Sequence, residues 1–141
     1  MKLIVYAVGK LRDPWVAAGC AEYQQRLRGR LPVEVVELKR AEELLTKPPP
    51  RYARWVLDEH GALPTSRELA GKLGHAMNSG IQGVALLIGG ADGLPAELPG
   101  KADYVLSLSR LTLPHRLARL VMLEQLYRAA SILAGDPYHR D

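Results

Sequence analysis

The stretch "GVALLIGG", residues 83–90, constrains this chain more than any other. Its run of apolar side chains leaves no polar face and stops at a glycine pair. A strand of that kind is buried on both faces, so both sides of its sheet must be covered. "KLIVYAV" is a second nearly continuous apolar run, closed by Gly9. "PVEVVEL", about Ala53 to Leu57, and "YVLSLS" supply three more strands. Helical stretches separate them. Asp13 and Pro14 offer an N-cap and a proline at the first helical position, opening a helix that runs to about Leu27. Thr65, Ser66, Arg67 and Glu68 have the spacing of a capping box, and that helix stops near Asn78, Ser79 and Gly80. From Pro114 a long helix continues to about Ala134. Strands alternating with helices predict an α/β fold, a mostly parallel sheet with helices on both faces.

Length and composition fit one domain over residues 1–141. With 48% hydrophobic residues, a chain of 141 buries roughly two thirds of its unfolded surface without staples. The triple proline Pro48 to Pro50 forbids helix there and predicts a stiff, extended connection. One cysteine, Cys20, excludes an internal disulfide, and its small neighbours place it buried on a helix. The opening apolar run is too short for a signal peptide, and no run approaches the ~20 residues of a membrane span. The expected location is the cytoplasm. The net charge of +4, with arginine supplying 13 of 19 basic residues, permits an anionic partner without requiring one.

The last helix is apolar around well over half its circumference, from Val121 and Met122 through Leu126 to Leu133. Such a helix is buried on more than one side, which predicts one face on the sheet and another on a second copy. A homodimer follows. No cysteine pair, HExxH or acidic cluster has metal-ligand spacing, so no metal is expected. "GGADG" lacks the order of a dinucleotide fingerprint, yet two glycines at a strand end allow a ligand to approach the backbone.

Three stretches converge: "LLIGGADG", "SLSRLTLPHRLAR" with the helix "VMLEQLYRAASI", and the terminal "PYHR". In this order, and with the opening "MKLIVYAVGKL", they resemble a SPOUT-superfamily group of bacterial enzymes. These methylate N3 of a pseudouridine in the 23S RNA of the large ribosomal subunit. The resemblance covers nearly the whole chain. It implies a C-terminal trefoil knot, S-adenosylmethionine as methyl donor, and no membrane partner. It also implies a cofactor pocket walled by Leu108, Ser109, Arg110, Leu111, Thr112 and Leu113, with Gly89 admitting the ligand and Leu57 contributing from a neighbouring strand. Arg110 is expected to contribute through its backbone. The segment around Pro48 is shorter than in many members.

The imide nitrogen of pseudouridine carries a proton and attacks poorly until that proton leaves, so a base or a cation must stand beside the ring. By the resemblance Arg128, Tyr138, His139 and Arg140 provide this at a dimer interface. His139 is a candidate to accept the proton, with Arg128 and Arg140 to hold phosphate or the developing anion and Tyr138 to stack on the base; which group is the base stays open. Glu124 stands four residues before Arg128, in the favourable order for pairing. His115 is expected to anchor the junction by hydrogen bonding, and His60 and His75 read as surface positions. The rival reading is a non-catalytic RNA-binding or ribosome-associated module with a vestigial pocket.

Overall fold

The computed structural model describes residues 1–139, the side chain of His139 excepted. Its elements run β1 (Lys2–Val8), α1 (Pro14–Arg28), β2 (Val33–Leu38), α2 (Glu43–Thr46), β3 (Ala53–Ala62), α3 (Ser66–Asn78), β4 (Gly83–Ile88), β5 (Tyr104–Leu106) and α4 (His115–Ala134). Short 3-10 helices cover Pro99–Lys101 and Pro137–His139. Among the described residues the strands form one parallel sheet in the order β2-β1-β4-β3-β5. "GVALLI" is the central strand, buried at every position. The capping box forms as the spacing requires: Thr65 Oγ1 accepts from the Glu68 amide, and the Glu68 carboxylate accepts from the Thr65 amide. Asp13 does not cap α1 with its side chain; it pairs with Arg116 of α4 at 2.5 Å instead.

Both faces carry helix, but unequally. The larger core joins Leu3, Val5, Val84 and Leu86 of the sheet to α1, α3 and α4, so the three long helices share one face. The other face is closed over Ile4, Tyr6, Val56 and Leu87 by Leu44 of the single-turn α2 and by Leu98. That turn was not legible in the sequence. It precedes the prolines, and the Glu43 carboxylate holds it by accepting from the amides of Lys39 and Arg40.

Helix α4 lies between α1 and α3. Gly19 of α1 packs against Leu120, and Gly74 of α3 packs against Leu133; a Cβ at either glycine would stand 3.0 Å from the leucine. Ser66 donates to Gln125 at 2.6 Å and ties α3 to α4. Much of the apolar circumference of α4 is therefore used within the chain, which removes part of the sequence argument for a second copy. Leu117 and Val121 remain half-buried, while Trp15 on α1 and Leu111 are exposed.

Strands β3 and β5 approach each other tightly at their C-terminal ends. Leu57 and Ala62 both pair with Leu106, so residues 58–61 bulge around it. A Cβ on Gly61 would stand 2.7 Å from the Leu106 amide nitrogen and carbonyl carbon. No side chain fits there. Strand β5 ends at Leu106 rather than continuing through Ser109, because the serine hydroxyls compete with the ladder. Ser107 Oγ donates to the Ser109 carbonyl at 2.8 Å, and Ser109 Oγ accepts from the Leu111 amide at 2.9 Å.

Candidate active site

Those two serine turns shape a wall. Beyond the carboxyl ends of β3, β4 and β5 opens a cavity of about 700 Å³, within the range of small-molecule sites. Of the residues implicated from sequence, Leu57, Gly89, Leu108, Ser109, Leu111, Thr112 and Leu113 line it. Arg110 does not; its side chain is exposed, at the outside of the turn that Ser109 closes. The opposite wall was missed from sequence. It consists of Leu94, Pro95, Ala96 and Pro99 after β4, with Asp58, Glu59 and His60 from the bulge of β3. His60 thus borders the cavity, although nothing in the sequence distinguished it from a surface residue.

Gly89, besides lining the cavity, makes room for its own chain. A Cβ there would stand 2.9 Å from the carbonyl oxygen of Gly93 and 3.1 Å from Leu94 Cδ2. The missing side chain lets the loop after β4 fold back and form the opposite wall. His115 opens α4 and lines the cavity, but its ring makes no hydrogen bond to the described residues. It does not anchor the junction. Leu111, 75% exposed, stands at the mouth of the cavity as a large apolar side chain without cover.

A second group of functional candidates lies further along α4. Arg128 donates to Glu124 Oε2 from Nε at 3.1 Å and from Nη2 at 2.8 Å. The Tyr138 hydroxyl donates to the same carboxylate oxygen at 3.1 Å and stands 3.2 Å from the Tyr23 hydroxyl on α1. Burial, the hydrogen bond to Tyr23 and the Glu124 charge push the Tyr138 phenol well above its ordinary value. Its ring meets Tyr127 edge-on at 4.7 Å, and the Arg128 guanidinium lies 5.1 Å over it. Tyr138 is engaged by its own chain rather than displayed as a free stacking platform. Arg140 and the side chain of His139 lie outside the described residues.

Among the described residues the two groups do not meet within one chain. Ala118 lines the cavity, and Arg128 lies ten residues later, about 15 Å along the helix at its ~1.5 Å rise per residue. Among the described residues no group of His, Cys, Asp or Glu could hold a metal. None of their helices is long and apolar enough to cross a membrane.

Residues 1–139 match the family described as predicted SPOUT methyltransferase. The ribosomal RNA large subunit methyltransferase H of Thiobacillus denitrificans is 43% identical, with all of both chains covered. That of Dechloromonas aromatica is 46% identical over 100% of this chain and 99% of its own. The Thiobacillus alignment spans 157 positions against 141 residues here, so this chain is the shorter. A probable methyltransferase from Bordetella pertussis Tohama I shares the fold at a TM-score of 0.59 and 15% identity, covering 92% of this chain and 96% of the other. A probable methylase family protein from Haemophilus influenzae Rd KW20 does so at 0.61 and 12% identity, covering 99% and 71%.

Proposed function

Because the chain belongs to the SPOUT methyltransferase family, we propose that it methylates N3 of a pseudouridine in 23S ribosomal RNA, with S-adenosylmethionine as donor. The observation that carries this reading is the cavity, whose wall is built by the very segment that resembles the family's cofactor loop. The residues fit the donor. Leu57, Leu108, Leu111 and Leu113 offer apolar surface for an adenine, and the serine turns and the Gly89–Gly90 backbone leave main-chain groups beside it. S-adenosylmethionine supplies an electrophilic methyl group on a sulfonium sulfur. A vestigial pocket would not need this wall intact, so the non-catalytic reading loses its ground.

The chain's own residues then position the base and manage its proton. Arg128, oriented by Glu124, supplies a fixed cation that favours the imide anion. His139 accepts the proton, and Arg140 adds a second cation for phosphate. The ~15 Å between cavity and cluster supports a homodimer in which one subunit's tail serves the other's cavity. The exposed Trp15 and Leu111 and the half-buried Leu117 and Val121 leave apolar surface for that pairing. The trefoil threading belongs to the same proposal, supported by membership of the SPOUT family.

The test uses ribosomes and methyl-labelled S-adenosylmethionine at fixed salt, because phosphate contacts make RNA affinity steeply salt-dependent. Deleting residues 138–141 should leave cofactor affinity within a few-fold and abolish methyl incorporation. A folded variant with its cavity filled, Ala118→Trp, should lose cofactor binding. Mixing the two inactive proteins should restore activity through heterodimers. Full activity of the deletion variant would overturn the catalytic role of the tail, and failure of the mixture would overturn the shared site.

A further inference from the structure

We propose that helix α1 positions the C-terminal tail through two residues, Tyr23 on the helix and Arg30 just beyond it. The proposal rests on the function given above, since it assigns a means of aiming the catalytic tail. Helix α4 ends at Ala134, and Gly135 turns the chain back with a φ of 73°, a conformation glycine adopts without strain. The Asp136 amide closes this turn on the Ser131 carbonyl at 2.9 Å. From there the tail has one short 3-10 helix, too little local structure to fix its own direction.

What fixes it comes from α1. Arg30 pairs with one carboxylate oxygen of Asp136, while the other accepts from the Tyr138 amide at 2.9 Å. Tyr23 reaches the Tyr138 hydroxyl at 3.2 Å. Arg26 braces this contact, its guanidinium 5.1 Å over the Tyr23 ring and 5.8 Å over the Tyr127 ring. Tyr138 is thus gripped at its amide side through Asp136 and at its hydroxyl through Tyr23. These contacts join residues more than 100 positions apart, so they exist only when α1 and α4 are packed. They also link the tail to the catalytic cation, because Tyr138 and Arg128 share the Glu124 carboxylate. Tyr138 is on this reading a positioning residue, together with Tyr23 and Arg30. The groups that touch RNA are Arg128 and the residues joined directly after Tyr138.

The experiment compares wild type with Tyr23→Phe/Arg30→Ala, and with Arg30→Lys as the conservative control. Three quantities are read: hydrogen exchange at the amides of Asp136 and Tyr138, cofactor affinity by calorimetry, and the single-turnover rate on ribosomes. In the double variant exchange should quicken about tenfold or more. The rate should fall on the order of 10²-fold, as when a reacting group is misplaced by about 1 Å. Cofactor affinity should stay within a few-fold, and Arg30→Lys should keep most of the rate. Unchanged exchange, or faster exchange at the wild-type rate, would overturn the proposal. So would a rate loss matched by lost cofactor binding, which would mean general loosening of the fold. A wild-type protein that binds cofactor but leaves ribosomes unmethylated would instead overturn the function above, and exchange alone would then decide whether α1 holds the tail.

Discussion

Removing Glu37 should cost more than removing Arg119. Arg119 lies on α4 at 3% exposure, with Nη1 2.6 Å from Glu37 Oε2 and Nη2 2.9 Å from the Gly9 carbonyl. The Glu37 side chain is 40% exposed. Glu37→Ala leaves the 3%-exposed guanidinium without its carboxylate, with water admitted only through the space Glu37 vacates. Breaking a buried pair this way costs about 3–5 kcal/mol, and the surviving bond to Gly9 places the cost near the lower end. Arg119→Met keeps most of the volume and leaves a carboxylate that water can reach. Its cost is the charge-assisted bonding and the unpaired Gly9 carbonyl, about 1–3 kcal/mol. The double variant should cost less than the sum, because the stranded charge is gone. Urea unfolding at one fixed protein concentration, with m unchanged, measures all three. Glu37→Ala should also weaken cofactor binding several-fold, since Ala118 beside Arg119 lines the cavity and Val8 beside Gly9 packs against Gly90. If Arg119→Met proves more costly than Glu37→Ala, or the double variant costs their sum, burial of the arginine is not what sets the energetics.

Gly61→Ala would drive a methyl group into the Leu106 backbone, which cannot move aside as a side chain would; a loss of at least about 1–3 kcal/mol is expected in thermal unfolding, and a wild-type melting temperature would show the strand contact to be loose. Ser109→Ala removes the acceptor for the Leu111 amide and frees the cavity wall, so cofactor affinity should fall roughly tenfold, the equivalent of ~1.4 kcal/mol, with little change in circular dichroism; unchanged affinity by calorimetry would remove the turn from the site. Tyr138 predicts the alkaline limb of stability. Above pH ~10 the unfolded phenol loses its proton while the folded one keeps it, so the folded state binds more protons and stability falls as pH rises. Tyr138→Phe should flatten that limb relative to neutral pH, and an identical slope in denaturant titrations would refute the cause.

The sequence by itself determined the elements with strong local signals. "GVALLI" is a central strand because six consecutive apolar residues tolerate no wet face, and Thr65 with Glu68 starts a helix because the capping box is a contact across three residues. The cavity lining from Leu108 to Leu113 was legible for another reason, since that stretch carries a motif of its own, and only Arg110 stays off the cavity. Tertiary structure decided what depends on distant partners. The end of β5 was set by the Ser107 and Ser109 hydroxyls and by Ala62, whose carbonyl takes the Ser107 amide at 2.7 Å. The apolar circumference of α4 reads alike whether a second copy or α1 and α3 cover it, and only packing showed Gly19 and Gly74 against its leucines. That Gly89 also makes room for its own loop was not legible, because a missing Cβ does not say which atoms come close. Tyr138 became a held residue only when α1 brought Tyr23 to its hydroxyl, 115 positions away, and no local pattern encodes a contact at that separation.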